Sequence, residues 1–243
     1  MHLLILGASS DIGIAIAHKF ARAEGAHICL ASRNLGLLEK KARDIETRYQ
    51  VKAKAIGFDA TDYAGHPDFY RNLDPKPDAV VFTAGYQGNQ GLAQKDFGEM
   101  RKIIETNFLG AASILEIIAA DFEAKGRGLI IGISSVAGER GRQSNYLYGA
   151  SKSAMTTFLG GLRNRLHPGH VRVMTVLPGF VRTRMTAGMK LPQLLVIEPE
   201  QVAEDVYRAY QAGKDIVYTG WFWRWLMGII RNIPEAIFKR LKL

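Results

Sequence analysis

The feature that most constrains the fold is a change of pattern near the N-terminus. Leu3-Leu4-Ile5-Leu6 is a continuous apolar run, which is typical of a parallel strand buried on both faces. A glycine turn follows, and from Ile12 the apolar residues recur at helical spacing until Gly25, where a helix would end. A strand, a glycine turn and a helix in this order predict the first unit of an α/β fold.

The same unit recurs along the chain. Short apolar runs predict further strands at 27–31, 52–57, 78–82, 128–134, 171–177 and 215–218. Amphipathic stretches predict helices at 35–48, after Asp62, and at 98–124, 145–166 and 199–212. These units predict one doubly wound Rossmann domain, with a parallel sheet of about seven strands and helices on both faces. We assign residues 1–219 to this domain and 220–243 to an amphipathic C-terminal tail.

The glycine turn is a candidate dinucleotide site, because ligands of doubly wound sheets bind at the carboxyl ends of the strands. Glycine lets the backbone approach a pyrophosphate closely, and the following helix N-terminus favours a bound phosphate. A tight turn without a ligand remains an alternative for this motif alone. The candidate contacts are Gly7, Ser9, Ser10, Ile12 and Gly13. Asp11 would repel a pyrophosphate, so we expect its carboxylate to turn away or to cap the helix.

The end of the second predicted strand indicates which dinucleotide is bound. An acidic residue there would accept hydrogen bonds from the ribose hydroxyls of NAD, but this chain has Ser32 followed by Arg33. A guanidinium suits a 2′-phosphate. We therefore predict NADP(H) rather than NAD(H), the alternative being that Arg33 is simply solvated.

Tyr148 and Lys152 form the candidate catalytic pair, because residues four apart on a helix share one face. A free phenol has a pKa of about 10, and a cation within roughly 4 to 6 Å lowers it. Such a phenol can protonate the oxygen of a carbonyl as hydride reaches its carbon. The same pair also occurs by chance on solvated helices. Tyr146 has no lysine four residues on, and we expect it to line the pocket.

Several segments together resemble the short-chain dehydrogenase/reductase family, in the expected order over residues 3–219. They are the glycine turn, Asn107, Ser135 thirteen positions before Tyr148, the Tyr148/Lys152 pair, and Pro178-Gly179-Phe180-Val181-Arg182-Thr183. The resemblance implies an oxidoreductase that moves a hydride between a nicotinamide and a carbonyl or alcohol. In it Ser135 polarises the carbonyl, and Asn107 kinks its helix and holds a water relay to Lys152. The alternative for Asn107 is a helix-surface asparagine.

The resemblance also implies further cofactor contacts. Asp59, followed by Ala60, would meet the adenine edge, and Ala84 and Gly85 would pack on the adenosine. Tyr148 and Lys152 would also touch the cofactor. The nicotinamide carboxamide would be held by Pro178, Gly179, Val181 and Thr183. The chain departs from the family pattern at Leu6, at Asp11 and at Phe82-Thr83, where threonine, glycine and Asn-Asn are usual.

The last stretch of the chain differs in character from the rest. Trp221, Trp223 and Trp225 open it, and residues 221–243 hold five Lys or Arg against one Glu, which is +4 of the formal net charge of +9. Aromatic anchors with cations suit a helix in the headgroup region of an anionic bilayer, so we predict peripheral membrane contact. The alternative is that the tail packs against the domain or another subunit. The basic residues follow an apolar stripe, which argues against nucleic acid.

Some segments resemble one branch of the family, which reduces a keto-sugar carried on decaprenyl phosphate after a partner oxidase has acted. They include Ser134–Arg140, Gly179–Thr186 and the tryptophan-rich tail. We therefore predict a polyprenyl-phosphate keto-sugar as substrate, with phosphate candidates Arg140, Arg142, Arg182 and Arg184. The alternatives are a reductase of 3-ketoacyl thioesters or hydrophobic ketones, for which the 191–197 stretch could line the pocket, and a non-catalytic NADP-binding regulator.

The remaining composition favours a cytoplasmic protein. Cys29 is the single cysteine, so no disulfide forms within the chain, and strand-like residues begin at His2 without a preceding signal sequence. If the tail binds lipid, we expect the cytoplasmic face of the membrane. His167 and His170 have no evident partner ligands, so we predict no metal. By family resemblance we expect a homodimer or homotetramer.

Overall fold

The computed structural model describes residues 1–241 and contains a seven-stranded parallel sheet. The strands in chain order are β1 (His2–Leu6), β2 (His27–Ser32), β3 (Ala53–Gly57), β4 (Ala79–Phe82), β5 (Gly128–Ile133), β6 (Val171–Pro178), β7 (Phe180–Val181), β8 (Val196–Ile197) and β9 (Ile216–Thr219). The main sheet has the order β3-β2-β1-β4-β5-β6-β9, and β7 pairs with β8 separately. The predicted doubly wound α/β fold is confirmed.

Helices cover both faces of this sheet, which explains why its central strands are apolar throughout. The helices are α1 (Asp11–Glu24), α2 (Leu35–Tyr49), α3 (His66–Arg71), α4 (Gln90–Ala93), α5 (Phe97–Ile104), α6 (Gly110–Lys125), α7 (Tyr146–Leu166), α8 (Pro199–Gln211), α9 (Phe222–Asn232) and α10 (Glu235–Phe238). On one face, Ile16, Phe20 and Val206 of α1 and α8 are buried. On the other, Ile114 and Leu159 of α6 and α7 are buried.

The order of the strands places a crevice at the carboxyl end of β1. Leu6 at that end pairs with Ala31 of β2 on one side and with Phe82 of β4 on the other. The chain therefore winds away from β1 in both directions, which is the switch point where doubly wound sheets bind ligands. The loops that follow β1, β2 and β4 meet there, and those after β5 and β6 lie beside them.

The predicted long helix at 98–124 is interrupted. A π-helical segment, Glu105–Leu109, separates α5 from α6, so the backbone widens by one residue per turn at this point. The whole helical run Phe97–Lys125 is long and apolar enough to cross a membrane. Its apolar residues Ile114, Leu115 and Ile118 are instead buried in the core between α6 and the sheet. The short elements α4, β7 and β8 were not predicted.

The C-terminal helix α9 packs one face against the body of the protein. Trp223 and Met227 are buried and join Val136 and Leu177 in a small apolar cluster. The opposite face is open to solvent, where Trp221, Trp225 and Ile229 are 78%, 70% and 67% exposed. The alternative that the tail packs against the domain therefore holds for the inner face of α9. The outer face leaves its aromatic side chains exposed to solvent.

Candidate active site

The glycine turn brings the backbone of β1 against the loop that follows β4. Gly7 has a positive φ of 80°, and a Cβ there would lie 2.3 Å from the backbone nitrogen of Ala84. Only glycine fits this close approach without moving the chain. The Ser10 hydroxyl caps α1 by accepting a hydrogen bond from the Gly13 amide at 3.4 Å. The free N-terminus of α1 therefore faces the crevice beside the turn.

Asp11 lines the crevice, and its carboxylate is held there by Arg184 instead of turning away from the site or capping the helix. Its carboxylate accepts hydrogen bonds from the Arg184 amide at 2.8 Å and from Arg184 Nε at 2.9 Å. The cap of α1 is Ser10 and not Asp11. Arg184 neutralises the acidic residue next to the candidate phosphate site, so the departure from the family pattern at Asp11 leaves that site without an unpaired negative charge.

Thr83 occupies the position where the family pattern has an asparagine. Its hydroxyl is buried and lies 3.0 Å from the carbonyl oxygens of both Leu6 and Gly7. The hydroxyl therefore ties the end of β4 to the start of the glycine turn. The sequence shows Phe82-Thr83 only as a departure from the family pattern. The one signal for the tie made by Thr83 is that a polar residue directly follows the apolar strand.

The first cavity of the site, of about 440 Å³, runs along the carboxyl ends of β1, β2 and β4. It contains most of the predicted cofactor contacts: Gly7, Ser9, Ser10, Ile12, Ser32, Arg33, Asp59, Ala60, Ala84, Gly85 and Thr183. Gly13 is buried beneath the turn, where its amide donates to the Ser10 hydroxyl, and it is not among the residues that line this cavity. Direct contact of these residues with a cofactor stays a prediction.

The far end of this first cavity carries a solvent-facing cation. The Arg33 side chain is 77% exposed, and its nearest carboxylate is that of Asp59, with Nη1 and Oδ2 3.9 Å apart. Ser32 is buried, with its hydroxyl 2.5 Å from that of Ser9. Burial acts to raise the pKa of Asp59, but hydrogen bonds from Thr61 and the nearby Arg33 outweigh it and hold this pKa below the ordinary value. A guanidinium here has open donors for an anion.

The second cavity, of about 370 Å³, holds the catalytic candidates Ser135, Tyr148 and Lys152. Ser135 follows β5, while Tyr148 and Lys152 lie one turn apart on α7. Lys152 Nζ is 5.7 Å from the centre of the Tyr148 ring and donates a hydrogen bond to the Ile133 carbonyl at 3.0 Å. The residues that resembled the family's catalytic set are therefore brought together.

Burial dominates the ionisation of this pair. Burial raises the pKa of Tyr148 to about 12, against a smaller lowering effect of the Ser135 hydroxyl. Burial also lowers the pKa of Lys152 to about 8. The expectation that Lys152 lowers the phenol pKa is therefore wrong for the protein alone, because the desolvated ammonium is itself reluctant to carry charge.

Asn107 lies in the π-helical segment and is fully buried, so the helix-surface alternative is wrong. Its amide exchanges hydrogen bonds with the Tyr86 backbone, accepting from the nitrogen at 2.7 Å and donating to the oxygen at 2.8 Å, and also donates to the Ser151 hydroxyl at 2.9 Å. A Cβ on Gly85 would lie 3.4 Å from Asn107 Oδ1 and 3.7 Å from Lys152 Nζ. Asn107 and Lys152 therefore both pack beside Gly85.

Three hydrogen bonds of Ser134 and Ser135, which follow β5, fix the catalytic wall. The Ser134 hydroxyl donates to the Lys152 carbonyl at 2.8 Å and lies 2.7 Å from the Thr156 hydroxyl. The Ser135 hydroxyl donates to the Pro178 carbonyl at 3.3 Å. The neighbour Ser134 was not a predicted site residue, but it joins the end of β5 to the turn of α7 that carries Lys152.

The predicted nicotinamide segment after β6 lies beside the C-terminal helix. Pro178, Gly179, Val181 and Thr183 all line the second cavity. A Cβ on Gly179 would lie 1.9 Å from the Trp223 ring, so a side chain at this position would displace α9. The Thr183 amide donates to the Thr186 hydroxyl at 3.1 Å. Tyr146 is 41% exposed and is not among the residues that line this cavity, so its predicted place in the pocket is wrong.

Three of the four arginines predicted as phosphate ligands are occupied within the protein. Arg140 donates to the carbonyls of Ile230, Arg231 and Ile233 at the end of α9 and pairs with Glu235. Arg182 pairs with Glu198 at 2.7 Å, and Arg184 pairs with Asp11. Arg142 lines the second cavity. The described part of the chain, residues 1–241, has no cluster of three His, Cys, Asp or Glu side chains that could hold a metal ion.

Comparison with known proteins identifies the fold family. The family model of the short chain dehydrogenases matches residues 1–193. This chain belongs to the short-chain dehydrogenase family. An uncharacterised oxidoreductase of Mycobacterium tuberculosis is 34% identical over 242 residues, which cover 98% of this chain and 96% of the relative. An NADP-dependent 3-hydroxy acid dehydrogenase of Schizosaccharomyces pombe is 29% identical over 189 residues, covering 76% of this chain and 73% of the relative.

Solved structures agree with this membership. A short-chain dehydrogenase from Sphingobium yanoikuyae in complex with NADPH superposes with a TM-score of 0.83 at 25% identity, covering 97% of both chains. A 7β-hydroxysteroid dehydrogenase superposes with a TM-score of 0.86 at 19% identity, over 99% of this chain and 96% of the other, which shows the shared fold alone. As a short-chain dehydrogenase the protein is an oxidoreductase. The predicted family and enzyme class are confirmed.

Proposed function

We propose that this short-chain dehydrogenase is an NADPH-dependent carbonyl reductase. The observation that carries the proposal is one cavity lined by Ser135, Tyr148 and Lys152, together with the buried Asn107 beside Gly85 of the same cavity. That cavity adjoins the first one along Ser10, Ile12, Thr83, Gly85, Thr183 and Met185, which line both. The arrangement brings a nucleotide cleft and a proton donor to one edge of the sheet.

The residues fit NADP(H) better than NAD(H). No acidic residue ends β2, and Arg33 presents an exposed guanidinium where the 2′-phosphate of the adenosine ribose would lie. Gly7 and the N-terminus of α1 would receive the pyrophosphate. Both a curated relative that is NADP-dependent and a superposable enzyme that was solved with NADPH support this choice.

The chemistry proposed for the chain's own residues is proton transfer. The cofactor, when bound, supplies the hydride. The hydroxyl of Ser135 donates a hydrogen bond to the carbonyl oxygen, and the Tyr148 hydroxyl gives that oxygen its proton as the alcohol forms. A phenol whose pKa is held near 12 by burial is fully protonated at neutral pH and therefore ready to act as the acid. Lys152 and Asn107 then connect Tyr148 to the source of the replacement proton.

For the substrate we propose a keto-sugar carried on a polyprenyl phosphate. Exposed apolar side chains line the second cavity, where Met185 and Met189 are 45% and 41% exposed, and Leu194 further along the same loop is 95% exposed. Leu195, in the same loop, packs against the apolar cluster of α9. These contacts support a lipid-entry groove between the 184–197 loop and the tail. Such a reductase would act after an oxidase that supplies the keto-sugar.

A 3-ketoacyl thioester or another hydrophobic ketone is the second candidate substrate. Leu191 lines the second cavity and gives an acyl chain an apolar contact. The relative that acts on 3-hydroxy acids favours this candidate over more distant ones. A non-catalytic NADP-binding regulator is a third possibility, and the assembled Ser135, Tyr148 and Lys152 argue against it.

We also propose that the outer face of α9 contacts the cytoplasmic face of the membrane. Trp221, Trp225 and Ile229 recur every fourth residue and are exposed, and Arg224 stands beside them. Exposed tryptophans next to cations are typical of helices in the headgroup region. The same stripe could pack in a homodimer or homotetramer, and the vesicle experiment described in the Discussion separates these two uses.

The reductase proposal is tested by following NADPH oxidation at a saturating cofactor concentration. The substrates are a membrane-extracted polyprenyl-phosphate keto-sugar and a 3-ketoacyl thioester. Turnover that falls by about a hundredfold or more in Tyr148→Phe supports the proposed acid. Turnover of the thioester alone keeps this mechanism and discards the lipid-linked sugar. The absence of turnover with every carbonyl, despite tight NADPH binding, would favour the regulator.

A further inference from the structure

The second cavity has an unbalanced positive charge. Arg142, Lys152 and Lys190 line it, whereas none of its lining residues is an Asp or Glu. Lys152 belongs to the catalytic set, and Lys190 lies at the exposed mouth. Arg142, which falls between Ser135 and Tyr148 in the sequence, lines the second cavity but not the first. Its charge is therefore available to the substrate and not to the glycine-turn end of the cofactor.

Arg142 lacks the partners that occupy the other three candidate arginines. Among the described residues, its side chain makes one hydrogen bond, from Nη2 to the Met227 sulfur at 3.2 Å, and a thioether is a weak acceptor. The carboxylate of Glu139 is close enough to exert a raising effect on the pKa of Arg142. Its Oε1 atom, however, accepts hydrogen bonds from Tyr218 at 2.5 Å and from Arg231 at 3.0 Å. Within the described chain Arg142 forms no ion pair. The Arg142 guanidinium, which lines the cavity, therefore has no oxygen acceptor among the described residues.

Burial makes this arrangement costly in the empty cavity. The Arg142 side chain is half-buried, and desolvation lowers its pKa from the ordinary value. Charges that are partly removed from water are normally paired, so a guanidinium that lines this cavity without an acidic partner indicates an anionic ligand.

We propose that Arg142 binds an anionic oxygen group of the substrate, a phosphate or a carboxylate. The inference rests on the proposed reductase function, because it names the class of carbonyl compound that the same cavity takes. Arg142 is then a specificity-determining residue, since it holds the substrate and takes no part in proton transfer. Its planar guanidinium can grip either anion with two parallel hydrogen bonds.

Kinetics with matched ketones test the charge preference. Dihydroxyacetone phosphate is compared with dihydroxyacetone, and levulinate with its ethyl ester, so that the two pairs distinguish phosphate from carboxylate. We expect the native protein to have the higher kcat/KM for the anionic member of at least one pair. In Arg142→Met this preference should fall by about tenfold to a hundredfold, mainly through KM, and Arg142→Lys should keep part of it. A preference for the neutral members, or one that Arg142→Met leaves unchanged, overturns the inference.

Met227→Leu is the matched control. It removes the sulfur acceptor of Arg142 while keeping the side-chain volume and the charge in the cavity. If Arg142 serves the substrate, Met227→Leu retains the anion preference. If Arg142 serves only to hold α9 in place, the two variants should lose stability and preference together, which contradicts the inference.

A binding measurement separates this inference from the reductase proposal. Calorimetric titration compares geranyl phosphate with geraniol, in the presence of NADP⁺ and without turnover. We expect the phosphate to bind at least about tenfold more tightly, and this difference to disappear in Arg142→Met. If the difference holds while every ketone fails as a substrate, the anion site stands and the reductase proposal falls. If ketones are turned over but the two ligands bind equally tightly, the reductase proposal stands and the anion site falls.

Discussion

Arg33 is the single residue on which the proposed choice of cofactor depends. Its guanidinium is exposed, and Asp59 is its one ionic neighbour among the described residues, at 3.9 Å. Replacing it by alanine should therefore remove a phosphate contact without disturbing the fold. We expect Arg33→Ala to raise KM for NADPH by about tenfold to a hundredfold and to change KM for NADH much less.

The measurement for Arg33 is a pair of saturation curves, one for each cofactor. Arg43→Ala is the control, because Arg43 is an equally exposed arginine of α2, where it is 3.9 Å from Glu39. It should change neither KM. Equal losses for NADPH and NADH in Arg33→Ala would contradict a role at the 2′-phosphate.

The buried Lys152 makes stability depend on pH. Its folded pKa is about 8, against 10.5 for a free lysine, so between these values the unfolded chain binds more protons than the folded one. The free energy of unfolding therefore rises with pH across this window. Between about pH 7.5 and about pH 9.5, the free energy of unfolding measured by urea denaturation should rise by about 2 kcal/mol more in the native protein than in Lys152→Met.

Tyr148 acts in the opposite direction but at higher pH. Its raised pKa of about 12 keeps the proton on the folded protein after the unfolded phenol has lost its own, so this contribution to stability falls as pH rises above 10. The two groups therefore do not cancel in the window chosen for Lys152. A native protein whose stability changes with pH in parallel with Lys152→Met would show that this lysine ionises normally.

At the scale of elements, α9 has two faces that two tryptophans distinguish. Trp223 is buried against Gly179 and Phe180, whereas Trp225 is 70% exposed. We expect Trp223→Ala to lower the free energy of unfolding by about 3 to 5 kcal/mol, because a large buried side chain is lost. Trp225→Ala should change it by about 0.5 kcal/mol or less. Chemical denaturation of both variants checks this, and equal effects would contradict the observed orientation of α9.

The regular elements were predictable from the sequence because a strand buried on both faces must be apolar throughout. Leu3–Leu6 and the run before Ser134 show this pattern directly. The π-helical segment at Glu105–Leu109 was not predictable from periodicity, because one extra residue in a turn hardly alters the apolar pattern. Within this segment Asn107 forms hydrogen bonds with the Tyr86 backbone, 21 residues away, and a local pattern cannot show such a contact.

Tyr148 and Lys152 share one helix, so their spacing suggested a pair, but the resemblance to the family was needed to choose them and to add Ser135 and Asn107. Pairings across long stretches of chain could not be predicted. Asp11 and Arg184 are 173 residues apart, and only the folded sheet brings them together. The same holds for Arg140 and the end of α9, which explains why four arginines seemed equivalent in the sequence and only Arg142 remains without an acidic partner.

At the scale of the whole molecule, the formal charge of +9 and the exposed face of α9 act together. We expect the protein to cosediment with vesicles that contain anionic phospholipid, and this binding to weaken as salt is raised, because the Debye length falls from about 10 Å at 0.1 M to about 3 Å at 1 M. Trp225→Ala should weaken the binding without loss of stability.

Sedimentation alone without vesicles is the control for this prediction. Equal binding to neutral and anionic vesicles would show that the basic residues do not contribute to membrane binding. No binding to either kind would contradict the proposed membrane contact. If Trp225→Ala instead converts a dimer or tetramer into a smaller species, the outer face of α9 is a subunit interface.

Because Trp223 packs against Gly179, its fluorescence can serve as a probe of the catalytic cavity. Of the protein's three indoles, Trp221 and Trp225 are open to water, while Trp223 lies in a dry cluster beside the segment that lines the catalytic cavity. A water-soluble quencher such as acrylamide therefore extinguishes the emission of the two outer indoles and leaves the blue-shifted emission of the inner one. The emission that resists quenching should therefore change when a ligand occupies the cavity, whereas the quenchable emission should change when the outer face of α9 is covered.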